Sequence, residues 1–513
     1  MNEEVSNFVV KMCSRKSLGA IQQKVNGSIT SDDNKIAKIL SMRACPDIVN
    51  VDAYQGGAKA SLEVFFEAVV CLENGEITTL ESGKETSSIT YENSLISQSS
   101  RVVMRPCIMD NETTISQGEI VINSLVNIDI MLIDNNCEFR PPYIEDGINI
   151  KTSENIICSK KDDIKTAGAI KGEIVLDSKF KREVFASYSG YIKGYEIKTD
   201  YFVINGEMLA TLICEYEDGQ LKTFSKSFEF SEEIEQKGID KDDILQLDFK
   251  TGFRPKIDII TGTNGETIAS LDMPYTLTGE IFTCYAQESI IDAYDIEKEV
   301  NTITESFAHN ICKCSNFSEE KIIATFNLAE EAPRVERILG TAGENISLVN
   351  TLVKDGEMIL EGIANVCAIY YSEDDEGNKV LNSVLIDLPY SLNILNKELK
   401  ENDVVDISLK MGEVVVKNKK GRELEVIANV YVCYNIATPI ISAFTTSITL
   451  GDQKLPPECP LEIVVVKEGD SLWDVAKKLS IKEELLIAQN QNISLPLVGG
   501  EKLVVFRAKA NID

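Results

Sequence analysis

Histidine and tryptophan are almost missing from this 513-residue chain, which has one of each, His309 and Trp473. A single histidine excludes most Ser-His-Asp and Cys-His catalysis and most His-rich metal sites, unless His309 carries the chemistry alone. Bases are scarce beside acids: 51 Lys and Arg face 82 Asp and Glu, for a net charge of −31. Phosphate contacts need clustered bases, so this deficit argues against a nucleic-acid binder. It argues equally against a surface that docks on anionic lipid. No run approaches the ~20 apolar residues of a membrane-spanning helix. The N-terminus, MNEEVSNFVVKMCSRKSLG, puts two acids before any base and has no apolar stretch of signal length. Cysteine is present, but as thirteen residues, an odd number, scattered singly at sites such as Cys71, Cys107, Cys214, Cys367 and Cys433. That pattern fits free thiols in a reducing compartment better than a disulfide framework. The expectation is a soluble, intracellular protein.

What is present is β pattern. The length suggests roughly three or four domains, and 43% hydrophobic residues supply material for their cores. Short alternating runs recur: SLEVFFEAVVCL (61–72), EMLATLICEYE (207–217), EMILEGIANVCAIYYS (357–372) and LEVIANVYVCYNI (424–436). Their β-branched and aromatic residues favour half-buried strands. Asn-Gly and Asp-Gly pairs at 74–75, 146–147, 205–206, 218–219, 264–265 and 355–356 read as tight turns between strands.

The chain also repeats itself. KIAKILSMRACPDIVNVDAYQGG (35–57) and RVERILGTAGENISLVNTLVKDG (334–356) share an apolar hexad followed at the same distance by Gly57 or Gly356, and a third copy runs from Val184 to Gly206. Each copy ends in a similar strand, at 124–133, 277–287 and 426–436. The period exceeds one hundred residues, so the repeats are domains rather than solenoid turns. The expected organisation is an N-terminal segment (1–27) and β repeat domains at 28–150, 160–300 and 320–450. A Pro-rich linker at 451–460 and a small module at 461–506 follow. The module is expected to fold alone, with the linker as an exposed joint.

In that module, Ile463 to Val466 form an apolar strand and Gly469-Asp470 a turn. Ser471 with Asp474 makes a capping box. Leu472, Val475, Ala476 and Leu479 share one helix face. Ser480 with Glu483 reads as a second box opening a second helix, and Leu503 to Phe506 as a closing strand. The expected order is β-α-α-β. Trp473 lies beside the helix stripe, where it either covers the edge of a small core or anchors a partner. Ile463 and the neighbouring valines read first as core strand.

These residues closely resemble a LysM domain: the G-D-S-L-W turn at 469–473, V-A-K-K at 475–478, Asn490 and the G-E-K-L-V-V close at 500–505. The resemblance implies a binding face of Gly469, Asp470, Ser471, Leu472 and Trp473 opposite Ile493, Ser494, Leu495 and Pro496, with Ile463 nearby. LysM modules typically hold N-acetylglucosamine-containing glycans there. Gly499, Glu501 and Phe506 depart from the usual pattern, and with the lack of an export signal they weigh against glycan. β repeats ending in one LysM module resemble the clostridial SipL type of spore coat morphogenetic protein, built from SPOCS β domains and a C-terminal LysM domain. That resemblance implies SPOCS-like repeats at 160–300 and 320–450 and a place in the mother-cell cytosol at the forespore surface. It also implies a protein partner, the coat basement-layer ATPase SpoIVA.

No other motif points to chemistry. His309, Cys312 and Cys314 lack the fourth ligand and the spacing of a zinc site. The acidic run at 372–377 lacks a calcium-loop register, and Gly83-Lys84 lacks the rest of a phosphate loop. No catalytic residue, metal ligand or cofactor site is singled out, and a non-enzymatic scaffold is expected.

Overall fold

The structure is a computed structural model that describes residues 9–31, 35–176, 179–263, 265–374, 376–455 and 459–506. It is 74% strand with two short helices, so the chain is mainly β, with tandem β units followed by a small β-α-α-β module.

The first unit holds β1 (Val10–Ile29), β2 (Ile36–Tyr54), β3 (Gly57–Leu72), β4 (Ile77–Glu92), β5 (Arg101–Ser116) and β6 (Glu119–Phe139). One sheet has the order β1-β6-β5 and the other is the meander β2-β3-β4. The second unit holds β7 (Asn149–Leu176), β8 (Phe180–Lys198), β9 (Tyr201–Tyr216), β10 (Leu221–Glu235), β11 (Ile244–Thr251), β12 (Lys256–Thr261) and β13 (Thr267–Tyr294). Again the first strand pairs with the last, the meander is β8-β9-β10, and the fifth strand is split into β11 and β12. The third unit holds β14 (Lys298–Cys312), β15 (Asn316–Asn327), β16 (Arg337–Lys354), β17 (Glu357–Glu373), β18 (Lys379–Leu395), β19 (Val404–Asn418) and β20 (Glu423–Gln453). Here the first strand is split, both pieces pair with β20, and β16-β17-β18 is the meander. Each unit is a sandwich of two antiparallel sheets closed on its own apolar cluster.

The structure corrects two details of the repeat. The hairpin turns that enter the middle strands sit at Gly56, Asp200 and Gly356, all with positive φ. Gly206 is not a turn residue. It lies inside β9, where a Cβ would come within 2.3 Å of the Tyr191 carbonyl oxygen. Its counterpart is Gly362 in β17, whose Cβ would meet the Ser347 carbonyl oxygen at 2.0 Å. The glycine at 205–206 therefore marks close approach of a neighbouring strand rather than a turn. The units also begin earlier than 28, 160 and 320, because β1, β7 and β14 pair with the last strand of their unit. Residues from Val10 on thus belong to the first sandwich and not to a separate N-terminal segment.

The three sandwiches meet through equivalent positions. Leu40, Val184 and Leu339 lie on the second strands, and Val69, Ile213 and Ile369 stand thirteen residues after each turn residue. All six share one buried cluster. The arrangement is a pseudo-threefold ring of meander sheets. A second cluster joins the units through the sheets that pair first and last strands, with Phe139, Ile157 and Phe444 from the three units in turn.

Cys158 and Cys284 stand opposite each other in β7 and β13, their Cα atoms 4.0 Å apart, while the other eleven cysteines are free. A register formed across 126 residues brings this pair together. Among the described residues no helix is long and apolar enough to cross a membrane.

The C-terminal module holds β21 (Leu461–Val465), α1 (Leu472–Leu479), α2 (Glu483–Gln489) and β22 (Lys502–Phe506), with the two strands antiparallel. The expected linker is partly structured: β20 continues to Gln453, and the Lys454 amide donates to the Glu297 carbonyl at 2.7 Å. Pro456 and Pro457 lie outside the described residues.

Candidate binding site in the C-terminal module

Local chemistry builds the first half of the site. Gly469 takes φ of +90°, which a glycine adopts freely. The Asp470 carboxylate accepts from the Lys467 amide at 2.9 Å and closes the turn. Ser471 caps α1: the Asp474 amide donates to Ser471 Oγ at 3.3 Å and the Ser471 amide donates to Asp474 Oδ2 at 2.9 Å. Ser471 Oγ also donates to Asp474 Oδ2 at 2.5 Å, and this bond with the one from the Ser471 amide holds the Asp474 carboxyl below its ordinary range. The second box does not form. Ser480 ends α1 in the left-handed region, at φ 50°, and α2 starts from Lys482 with no side-chain cap.

The second half is the loop between α2 and β22. Ser494 Oγ donates to Glu501 Oε1 at 2.6 Å and the Val498 amide donates to Glu501 Oε2 at 3.0 Å. These bonds keep the Glu501 carboxyl below its usual range. Glu501, a departure from the usual LysM pattern, thus fixes the loop. Asn490 ties α2 to β22, with its Nδ2 donating to the Val504 carbonyl at 2.8 Å and its Oδ1 accepting from the Val504 amide at 2.7 Å. Leu472 and Ile493 are half-buried against the same small core, which joins the two sides of the predicted face. Leu495 stays exposed, and Pro496 follows it through a cis peptide bond.

Trp473 is not an outward anchor. It is only 6% exposed and turns toward the end of β13 in the second sandwich. Its ring lies edge-on to Tyr294, centroids 4.8 Å apart, and its Nε1–H donates to Asp292 Oδ2 at 2.8 Å. Asp292 Oδ1 also takes Lys477 Nζ at 2.6 Å. Burial would raise the Asp292 pKa, but the bonds from Lys477 and Trp473 outweigh it and the carboxyl titrates below its ordinary value. Tyr294 belongs to the module's apolar cluster. Its hydroxyl donates to the Ile481 carbonyl at 2.7 Å, and burial, reinforced by Glu483 and Glu484, pushes its pKa up to about 12. Lys454 Nζ bridges the Asp295 carbonyl at 2.7 Å and Ser480 Oγ at 2.8 Å. Nothing in the sequence separates Asp292 and Tyr294 from other strand-end residues.

Ile463 is 61% exposed, contrary to its reading as core. The run Ile463 to Val466 alternates: Val464 and Val466 point inward, Ile463 and Val465 outward. Register pairs Leu461 with Phe506 and Ile463 with Val504. Leu461, Ile463, Val465, Val504 and Phe506 therefore make one open apolar face on the two-stranded sheet. Four apolar residues in a row hide this alternation until the strand is paired.

Elsewhere, His309 is buried with its Nε2 at 3.0 Å from Ser442 Oγ, and Cys314 is exposed while Cys312 is buried. The three do not converge. Among the described residues no group of three metal-binding side chains comes together.

No curated protein and no solved structure matches the chain. The model of the family described as LysM domain matches residues 464–505: the C-terminal module is a LysM domain.

Proposed function

We propose that the chain is a non-enzymatic scaffold of the spore coat morphogenetic type. In this reading its LysM domain docks the coat basement-layer ATPase SpoIVA and holds coat around the forespore in the mother-cell cytosol. The LysM domain supports a binding role. The observation that favours a protein partner is the open face of Leu461, Ile463, Val465, Val504 and Phe506, more than a third exposed at every position. A patch of this kind, with an aromatic and branched aliphatics, is the composition of a protein interface centre. Trp473 is engaged within the chain and is not part of that surface.

The test uses the full-length protein. Val504→Asp and Phe506→Ser sit on the outward face and leave the inner core intact. We expect both to lose capture of purified ATPase at least tenfold with unchanged melting. Undiminished capture by the folded variants would refute the proposed face. Glycan binding is the second reading, because LysM modules typically hold N-acetylglucosamine polymers between the two loops. Retention on chitin oligomers that disappears when Leu495 and Ile493 are changed to Ser, with no ATPase capture, would establish it instead.

A further inference from the structure

Where the outer sheets of the three sandwiches meet lies a cavity of about 510 Å³, well inside the range that holds small molecules. Its walls come from all three units, and their charge is inverted relative to the chain. Five bases line it: Arg15 on β1, Arg101 and Arg105 on β5, and Lys160 and Lys165 on β7. Four acids face them: Asp163, Asp248, Glu280 and Asp406. Asp248 also borders a small adjoining cavity beside Lys410. In the whole chain acids outnumber bases 82 to 51, so a wall with more bases than acids is not its ordinary composition.

The hydrogen bonds leave donors to spare. Arg15 reaches Glu280 through Nη2 alone. Arg101 uses only Nη1, toward Glu280 and toward Asp163 at 3.3 Å. Arg105 reaches Asp406 through Nη2 alone, at 2.7 Å. A guanidinium carries five N–H groups and pairs best through its fork, and none of the three does so here. The Arg15 Nε–H is buried and shut away from the cavity; the guanidinium donors open to it are those of Arg101 and Arg105, 47% and 31% exposed. Lys160 is held by Asp163 at 2.6 Å and Glu280 at 3.3 Å, whereas Lys165 has no ion-pair partner among the described residues. Arg101 and Asp163, 47% and 58% exposed, form the mouth, and Arg15 and Glu280, 4% and 7%, the floor.

We propose that this cavity binds a small organic anion carrying two or more carboxylate or phosphate groups. One group takes the unused donors of Arg101, and the other those of Arg105 and Lys165. Because the walls belong to three sandwiches, the ligand also ties the ring together, and binding stabilises the assembled chain by mass action.

The experiment is calorimetric titration of the full-length protein at low ionic strength with citrate and, separately, pyrophosphate, with melting followed in parallel. We expect saturable binding of at least one probe, a raised melting temperature, and a weakening with salt. Citrate alone binding assigns carboxylates, pyrophosphate alone assigns phosphates, and either supports the site. Lys165→Gln, which breaks no ion pair, should weaken the bound probe at least tenfold, and Arg105→Gln should do the same if it folds. Lys419→Gln, on a surface pair with Glu425 outside the lining of either cavity, should leave binding unchanged. No binding of either probe at millimolar concentration, or equal binding by wild type and Lys165→Gln, overturns the proposal.

Discussion

The sandwiches and the LysM domain are attached to the chain by different rules. Each sandwich closes its own core and meets the other two through equivalent residues, so the ring is symmetric: Leu40, Val184 and Leu339 play one part three times. The LysM domain touches the ring on one side, and its small core includes Tyr294 from the second sandwich. A repeat contributes its interface at the same sequence position in every copy. A single appended module must take its partner residues from wherever it lands, which here is the end of β13. The module is therefore not a free bead on a proline linker: Trp473, Lys477 and Lys454 hold it in a fixed orientation. Its outer apolar face stays exposed.

This contrast can be broken most forcefully at Trp473. Trp473→Ala removes a buried aromatic ring and the bond to Asp292, at a cost of about 3–5 kcal/mol. Hydrogen exchange should show 461–506 opening while the sandwiches keep their protection. Equal loss of protection in all units would mean that the module and the ring fold as one.

The symmetric side of the comparison is probed next. Ile213→Ala in the shared cluster should cost about 2–4 kcal/mol, and Ile369→Ala should match it within ~1 kcal/mol if the two positions are equivalent. Denaturant melts of the two variants decide this, and a large disparity would argue against the pseudo-threefold reading. Tyr294→Phe isolates one hydrogen bond of the dock. It leaves the ring packed but the Ile481 carbonyl unmet, for about 1 kcal/mol, visible as faster exchange confined to the LysM domain.

The smallest effect is on pH. The folded Asp292 pKa is depressed, so its contribution is fully present above the unfolded carboxyl value of about 3.9. It is lost as pH falls through the lower, folded value. The dock should thus be insensitive to pH near neutrality and weaken only below about pH 4. Asp292→Asn should flatten that acid dependence when Trp473 fluorescence is followed, and an unchanged acid profile would mean that another group governs release.

Several parts of this architecture were legible in the chain. The Ser471–Asp474 box, the Gly469 turn and the hairpins at Gly75, Gly219 and Gly356 all formed as read, because each is settled by residues within four positions of one another. The closing strands at 124–133, 277–287 and 426–436 became β6, β13 and β20, the central strands of their sheets. Their apolar, β-branched runs are what a strand covered on both edges requires. Other readings failed where the deciding partner is remote. The tetrapeptides NGEM and DGEM look alike, yet Gly206 sits mid-strand against Tyr191 and Gly356 turns a hairpin. Ser480 resembles an N-cap but takes a left-handed C-cap conformation and accepts from Lys454.

The sequence by itself determined the class of the molecule: strands from period-two apolar runs, a β repeat from the recurrence of those runs, and a LysM domain from its ordered local motifs. These are properties of short windows, where propensity and turn chemistry act before any long-range contact exists. Only the tertiary structure decided the pairing of each first strand with its last, the charged cavity where three units meet, and the turning inward of Trp473. Each depends on groups that stand more than a hundred residues apart until folding makes them neighbours. Trp473 and Asp292 are separated by 181 residues, and Arg15 and Glu280 by 265. No local pattern encodes such meetings, because the energy that rewards them, burial and charge pairing in a dry interior, exists only once both sides are in place.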